Sequence, residues 1–406
     1  MVTTTPNHDF AVSSAPPVRK AGLRDPRLDF YRGIAMFIIL IAHTPRNWWT
    51  GWIPARFGFS DATEIFVFCS GMASAIAFGK VFAERGWMMG TTRTVYRIWQ
   101  VYWAHIGLFF FIAMMLAALE YYGNFEKSYV NTLNLWPFFR DPMPQLVGLF
   151  TLTYVPNYFD VLPMYLVILM MMPLMMALAK VHVWLALGTS VGIWFMANLG
   201  WLALPAEPWS DRQWFFNPFG WQLVFFTGFA FMRGWLPKPP VSTTLVIICA
   251  GFLVLSAPFA SWKVVNWLAI PMPELAEWLK DLRPGLRDFR TKTEFGILRY
   301  LHFLSLAYIF WVAAGEGGWR LRETSAGFMG QLWASTVTVV SKVGQQSLAV
   351  FVFSMALARF MGFILDQVGR TGTTVALVNL AGLATIVGVA YTAAFFKSSP
   401  WKRKPA

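Results

Sequence analysis

Residues 29–43 read D-F-Y-R-G-I-A-M-F-I-I-L-I-A-H, an apolar run bracketed by charge. The run predicts a membrane-spanning helix with Arg32 and His43 eleven positions apart. At about 100° per residue, eleven steps come to roughly three full turns, so both side chains fall on one face. At about 1.5 Å per residue they lie roughly 16 Å apart along the axis. Arg32 then sits near one membrane surface and His43 well towards the other. An ionisable group inside a bilayer costs about 2.5–3.5 kcal/mol for Arg, Lys or Asp, so such groups turn to protein or to a water-filled cavity. The spacing of Asp29 and Arg32, i,i+3, allows a pair that lowers the cost of burying Arg32.

The rest of the composition agrees with that reading. Of 406 residues 57% are hydrophobic and 13% charged, with a mean hydropathy of +0.50, whereas a soluble domain carries about 25% charge. The 21 Trp and 38 Phe suit lipid-facing surfaces and interfacial belts. A net charge of +13 would point to nucleic acid in a soluble chain. Here it fits membrane orientation and contact with lipid headgroups, and no nucleic acid is expected. Cys69 and Cys249 both fall in apolar runs, which excludes a disulfide framework or a cysteine-rich metal site.

Apolar runs of about 18–25 residues predict an all-α polytopic protein with ten spans. They cover roughly 28–45, 60–83, 94–120, 161–180, 182–203, 214–235, 242–262, 296–314, 344–366 and 373–396. Residues 1–27 form an expected disordered cytoplasmic tail without the pattern of a signal peptide, and 397–406 a basic cytoplasmic tail. With the basic segment Lys263–Arg299 set aside, Lys and Arg concentrate on the flanks that share a side with the termini, which places both termini inside. Residues 121–160 and 263–295 are too long for simple connectors, so each is expected to fold over the outer mouth.

Few residues are candidates for chemistry. His43 can take a proton from a hydroxyl near neutral pH; it can equally be an interfacial histidine at a helix end. Asp61 and Glu64, in F-G-F-S-D-A-T-E-I-F-V-F-C-S-G, form a capping box before an apolar run. One of them could also orient the histidine. Arg93 and Arg97, at i,i+4, are either positive-inside flanks or a pair of guanidinium forks for phosphate, with Arg85, Arg320, Arg322 and Lys342 on the same surface. His302 with Arg299 opens the eighth span, as a satisfied structural histidine or as a contact for substrate. Trp48, Trp49 and Trp52 could stack on sugar rings or belong to the outer aromatic belt. Arg283, Arg287, Arg290 and Lys292 could meet an acidic substrate or lipid headgroups. His8, His105 and His182 have no convergent partners. No metal-ligand spacing and no nucleotide-binding motif occurs.

The ordered motifs resemble a known family. R-x10-H in the first span, the D-A-T-E-I-F-V-F-C-S-G opening of the second and R-T-V-Y-R-I-W-Q-V-Y-W after it are similar to the acyltransferase-3 superfamily of membrane O-acyltransferases. R-L-D-F-Y-R-G, T-Y-V-P-N-Y-F-D-V-L-P-M-Y, F-N-P-F-G-W-Q-L-V-F-F-T-G and G-Q-Q-S-L-A-V-F resemble more closely the OpgC family, succinyltransferases of osmoregulated periplasmic glucans. The resemblance implies a multi-pass enzyme of the bacterial inner membrane that moves an acyl group from succinyl-CoA (or acetyl-CoA) to a hydroxyl of a periplasmic glucan, without a metal. On that likeness His43 is the expected base, supported by Asp61 or Glu64, and Arg32, Arg93 and Arg97 are expected to hold the coenzyme. Asp29, Asp160, Tyr165, Asn217, Trp221, Gln222, Arg299 and His302 are expected near the substrate. Membrane lipid is an implied partner, and a homo-oligomer stays open.

A proton-coupled transporter of a sugar or organic anion is the alternative from another class, with Asp29, Arg32, His43, Asp61 and Glu64 as its pathway. Such a fold favours paired, Gly/Pro-broken spans in its two halves; no convincing pairing occurs, although Pro163 and Pro173 interrupt the fourth span.

Overall fold

A computed structural model describes residues 25–123, 125, 127–322 and 327–402. Residues 1–24 of the first expected tail and 403–406 of the second lie outside these residues. Among the described residues the chain is helical, with a single isolated bridge between Pro205 and Gln213 and no strand. The helices are α1 (Pro26–His43), α2 (Ala62–Ser74), α3 (Lys80–Tyr122), α4 (Trp136–Arg140), α5 (Pro142–Thr151), α6 (Val161–Val181), α7 (Val183–Asn198), α8 (Pro218–Arg233), α9 (Thr243–Ala260), α10 (Trp262–Leu268), α11 (Pro273–Leu282), α12 (Ile297–Ala313), α13 (Phe328–Gln345), α14 (Ser347–Val368) and α15 (Gly372–Ser398).

Among the described residues five helical stretches are long and apolar enough to cross a membrane: the path Ala62–Tyr122, α6, α9, α14 and α15. The expected spans at α7, α8 and α12 form shorter helices, of 16, 16 and 17 residues. α1 reaches 18 residues but carries Arg27, Asp29 and Arg32. The path Ala62–Tyr122 contains two of the expected spans. A π-turn over Ala75–Gly79 leads from α2 into α3, and the chain turns sharply at Gly86, where φ is +81°. An L side chain is strained at that φ, and glycine is not. Beyond the turn Gly90 packs against the Phe82 ring.

The core forms where helices approach closely. α2 lies on α8 at two small residues, since a methyl at Gly71 would overlap the Phe225 carbonyl and one at Gly228 the Phe68 carbonyl. Small residues allow such close contact where lipid gives helices no hydrophobic reason to associate. α8 is buried along almost its whole length, whereas α9 buries only Cys249 and Ser256 and presents its remaining face outward.

α13 has no counterpart among the ten expected spans. It packs on α1 backbone to backbone: Gly33 abuts the Val340 carbonyl, and Gly344 abuts the carbonyl of Asp29. Nearer its N-terminus the Trp333 ring meets Phe30 at 6.0 Å. The pattern of the helix explains the omission. Trp333, Val337, Val340 and Gly344 form a contact stripe, while Lys342, Thr336 and Thr338 keep the run too polar to read as a span.

Candidate functional site

α1 ends on His43 because Pro45 follows the cap residue Thr44, whose N–H and hydroxyl both return to the Leu40 carbonyl. The His43 ring is half-buried, and among the described residues neither ring nitrogen has a hydrogen bond. Its neighbour is Tyr158, edge to face at 5.0 Å, and from α14 the Arg359 guanidinium lies 4.0 Å from the same tyrosine ring. The Tyr158 hydroxyl donates to the Met355 carbonyl at 2.6 Å, which fixes the ring against α14. Lys292, Arg359 and Asp61 are all within electrostatic reach of the imidazole.

The two carboxylates are held elsewhere. Asp61 caps α2 by accepting from the Thr63 N–H at 2.7 Å, and Glu64 accepts from the Asp61 N–H at 2.8 Å, completing the capping box. Their remaining oxygens meet cations from a distant part of the chain: Lys292 Nζ lies 2.5 Å from Asp61, and Arg299 lies 2.5 Å from Glu64 and 3.5 Å from Asp61. Neither carboxylate hydrogen-bonds His43. The expectation that one of them orients the histidine is corrected on this point: burial demands paired charges, and Arg299 and Lys292 satisfy both. Beside the network lies a cavity of about 400 Å³ lined by Asp61, Arg287, Arg290, Lys292 and Arg299.

The segment 263–295 carries Lys292 and is folded against the end of α9. Arg283 is buried and donates to the Pro258 carbonyl, and Arg290 to the Phe259 carbonyl, tying the segment to the end of α9. Lys263 sits 3.3 Å over the Trp52 ring, so that one of the three early tryptophans belongs to a cation–aromatic contact.

Several residues expected at the substrate are occupied by the protein itself. Asp29 is 2% exposed and packs against α13, at the far end of α1 from His43. Asn217 caps α8 and donates to the Leu202 carbonyl. Gln222 bonds Ser190 twice, at 2.6 and 2.7 Å, joining α7 to α8. His302 is buried with its Nδ1 against the Ser60 hydroxyl at 2.7 Å. Asp160 accepts from the Phe215 N–H, and burial pushes its carboxyl up to about 6 against that bond and the pull of Arg212. Tyr165 packs on Phe225 inside the bundle. Trp221 is fully buried and donates to the Lys292 carbonyl at 2.8 Å. Of these eight residues, Arg299 lines the cavity.

Arg32 lies within electrostatic reach of Cys69 on α2. Arg93 is exposed, and Arg97, half-buried, donates to Gln100 at 3.1 Å. No group of three His, Cys, Asp or Glu among the described residues is placed to hold a metal.

Two residues beside His43 were not singled out from sequence. Tyr158 stands in T-Y-V-P-N-Y-F-D, and Arg359 is a lone charge in the apolar run of α14, which itself marks a functional candidate. Tyr158 itself holds positive φ (91°), as do Arg46 (52°) and Phe295 (61°). Such conformations cost about 1–3 kcal/mol each and gather at functional sites.

A helical membrane protein whose ionisable residues converge at one end of the bundle, around a partly exposed histidine, is the class that these observations define. The chain belongs to the OpgC protein family, whose model matches residues 24–398. The family places it with membrane-associated modification of glucans. Neither the curated proteins nor the solved structures contain a match to the chain.

Proposed function

We propose that this protein is an acyl-CoA-dependent O-acyltransferase of the bacterial inner membrane, moving a succinyl or other short acyl group to a hydroxyl of a periplasmic glucan. Family membership together with one observation supports the reading: the His43 ring is partly exposed, with both nitrogens uncommitted, beside the cations Lys292 and Arg359.

In the proposed reaction His43 takes the proton of a sugar hydroxyl, and the oxygen attacks the thioester carbonyl. The carbon–sulfur bond breaks, the ester forms, and the coenzyme thiolate leaves with the proton from the imidazolium. Lys292 and Arg359 favour the negative charge that develops on the carbonyl oxygen. Tyr158 sets the face that the imidazole presents. Because acyl-CoA is cytosolic and the glucan lies outside, the reading requires the pantetheine arm to pass between helices, with the coenzyme phosphates held by Arg32, Arg93 and Arg97.

The test is turnover by purified protein, reading thiol release from succinyl-CoA and acetyl-CoA with a gluco-oligosaccharide acceptor. His43→Ala is expected to abolish release while the protein still purifies folded; an active variant would falsify the base assignment. Charge reversal at Arg93 and Arg97 is expected to raise KM for the donor with a smaller change in kcat.

A further inference from the structure

Seven residues beyond Arg359, about 10 Å along α14, a second charged cluster surrounds Asp366. One carboxylate oxygen accepts from Arg46 at 3.0 Å and from Arg370 at 2.6 Å. The other accepts from Lys127 at 2.6 Å and from the Tyr129 hydroxyl at 3.3 Å. Among the described residues three cations thus face one carboxylate, and they line an open cavity of about 550 Å³. It shares no residue with the cavity beside Asp61.

A clamp between loops needs one ion pair, and like charges gathered in a small volume repel. The surplus here has two further features. The Arg46 side chain is 66% exposed while its backbone is held at positive φ. Arg370 Nη1 is buried and has no hydrogen-bond partner among the described residues. A buried donor left unmade is costly, so the guanidinium is not fully spent on Asp366. The Tyr129 ring, with Lys127 4.8 Å above it, and the Gln367 amide complete the wall.

We infer that this pocket binds one anionic group, a phosphate or carboxylate, through Arg46, Lys127 and Arg370. Two sources carry that chemistry: the headgroup of an acidic phospholipid, and an acidic substituent on a saccharide chain. The inference stands on the cluster and does not depend on acyl transfer.

The test uses full-length protein in a neutral polyoxyethylene detergent at constant ionic strength, reading the thermal unfolding midpoint against ligand concentration. The probes are inorganic phosphate, dioctanoyl phosphatidylglycerol beside dioctanoyl phosphatidylcholine, and a carboxylate-bearing gluco-oligosaccharide beside its neutral parent. A saturable rise with an anionic probe, absent with its neutral counterpart, is expected. The apparent affinity should fall about tenfold or more in Arg370→Gln and in Lys127→Gln, and rise in Asp366→Asn, which removes the competing carboxylate. A purely structural clamp predicts the opposite for Asp366→Asn. The responding probe identifies the source. If Arg370→Gln fails to fold, Lys127→Gln and Arg46→Gln decide the matter, both side chains being more than a third exposed. No saturable response to any anion, or unchanged affinity in the variants, overturns the inference.

Discussion

Replacing Arg299 by Met would strip the cation from a carboxylate that has no access to solvent. Glu64 is 0% exposed and the Arg299 side chain 9%, so water cannot compensate for the lost partner. Breaking such a pair from one side costs about 3–5 kcal/mol, most of it the penalty of the charge left behind. Glu64 would keep only the Asp61 N–H. The double variant Glu64→Gln with Arg299→Met removes both charges, while the introduced amide oxygen can still accept from that N–H. It should therefore be no less stable than Arg299→Met alone, a coupling of about 2 kcal/mol or more. Lys292→Met gives an internal comparison, because the Lys292 side chain is 29% exposed; solvent screening should bring its cost well below that of Arg299→Met. Unfolding in mixed micelles titrated with SDS, followed by tryptophan fluorescence, yields the free energy of each variant. Single-variant costs that add within about 0.5 kcal/mol would refute the claim that Glu64 and Arg299 form one buried unit.

Arg359→Gln keeps the shape and removes the charge beside Tyr158; kcat for acyl transfer is expected to drop about tenfold or more with little change in stability, and wild-type turnover would exclude Arg359 from the reaction. Glu207 should carry a pH dependence. Burial alone would raise its pKa, but hydrogen bonds from Arg212, Ser210 and Asn134 leave it below the usual glutamate value. The stability it contributes is then fully present above the ordinary glutamate range and is lost as pH falls through the lower, folded-state value. Glu207→Gln should flatten that acid limb of an unfolding-midpoint curve, and an unchanged limb would exclude the network Glu207–Arg212 as its source.

The helices were legible because lipid forces backbone polar groups to pair within the segment, so apolar length predicts structure directly. α13 escaped for the converse reason. Its apolar residues form a stripe that packs on α1, and a search for uniformly apolar runs passes over a stripe. The capping box at Asp61 and Glu64 was also legible, being local. Their cationic partners were not, since Lys292 and Arg299 lie more than 200 residues further along the chain. Arg359 could have been found by the same rule that picked out Arg32: a lone guanidinium in an apolar run has to be used.

The family-like motifs have a different physical meaning from the one their chemistry suggested. Asp160, Asn217 and Trp221 are polar or amphipathic residues at or near helix starts, which invites the reading that they touch substrate. Each instead spends its hydrogen bonds on the backbone of another segment: Asp160 on Phe215, Asn217 on Leu202, Trp221 on Lys292. Irregular chain at a membrane surface has no ladder of its own, and its carbonyls and N–H groups need partners. Phe295 shows the result. It is fully buried at positive φ, its carbonyl takes the Trp194 indole N–H at 2.8 Å, and its ring lies 4.8 Å from Trp221. That strained residue sits midway between Lys292 and Arg299. Side chains anchored in α7 and α8, Trp194 and Trp221, thereby hold the backbone from which both cations reach Asp61 and Glu64.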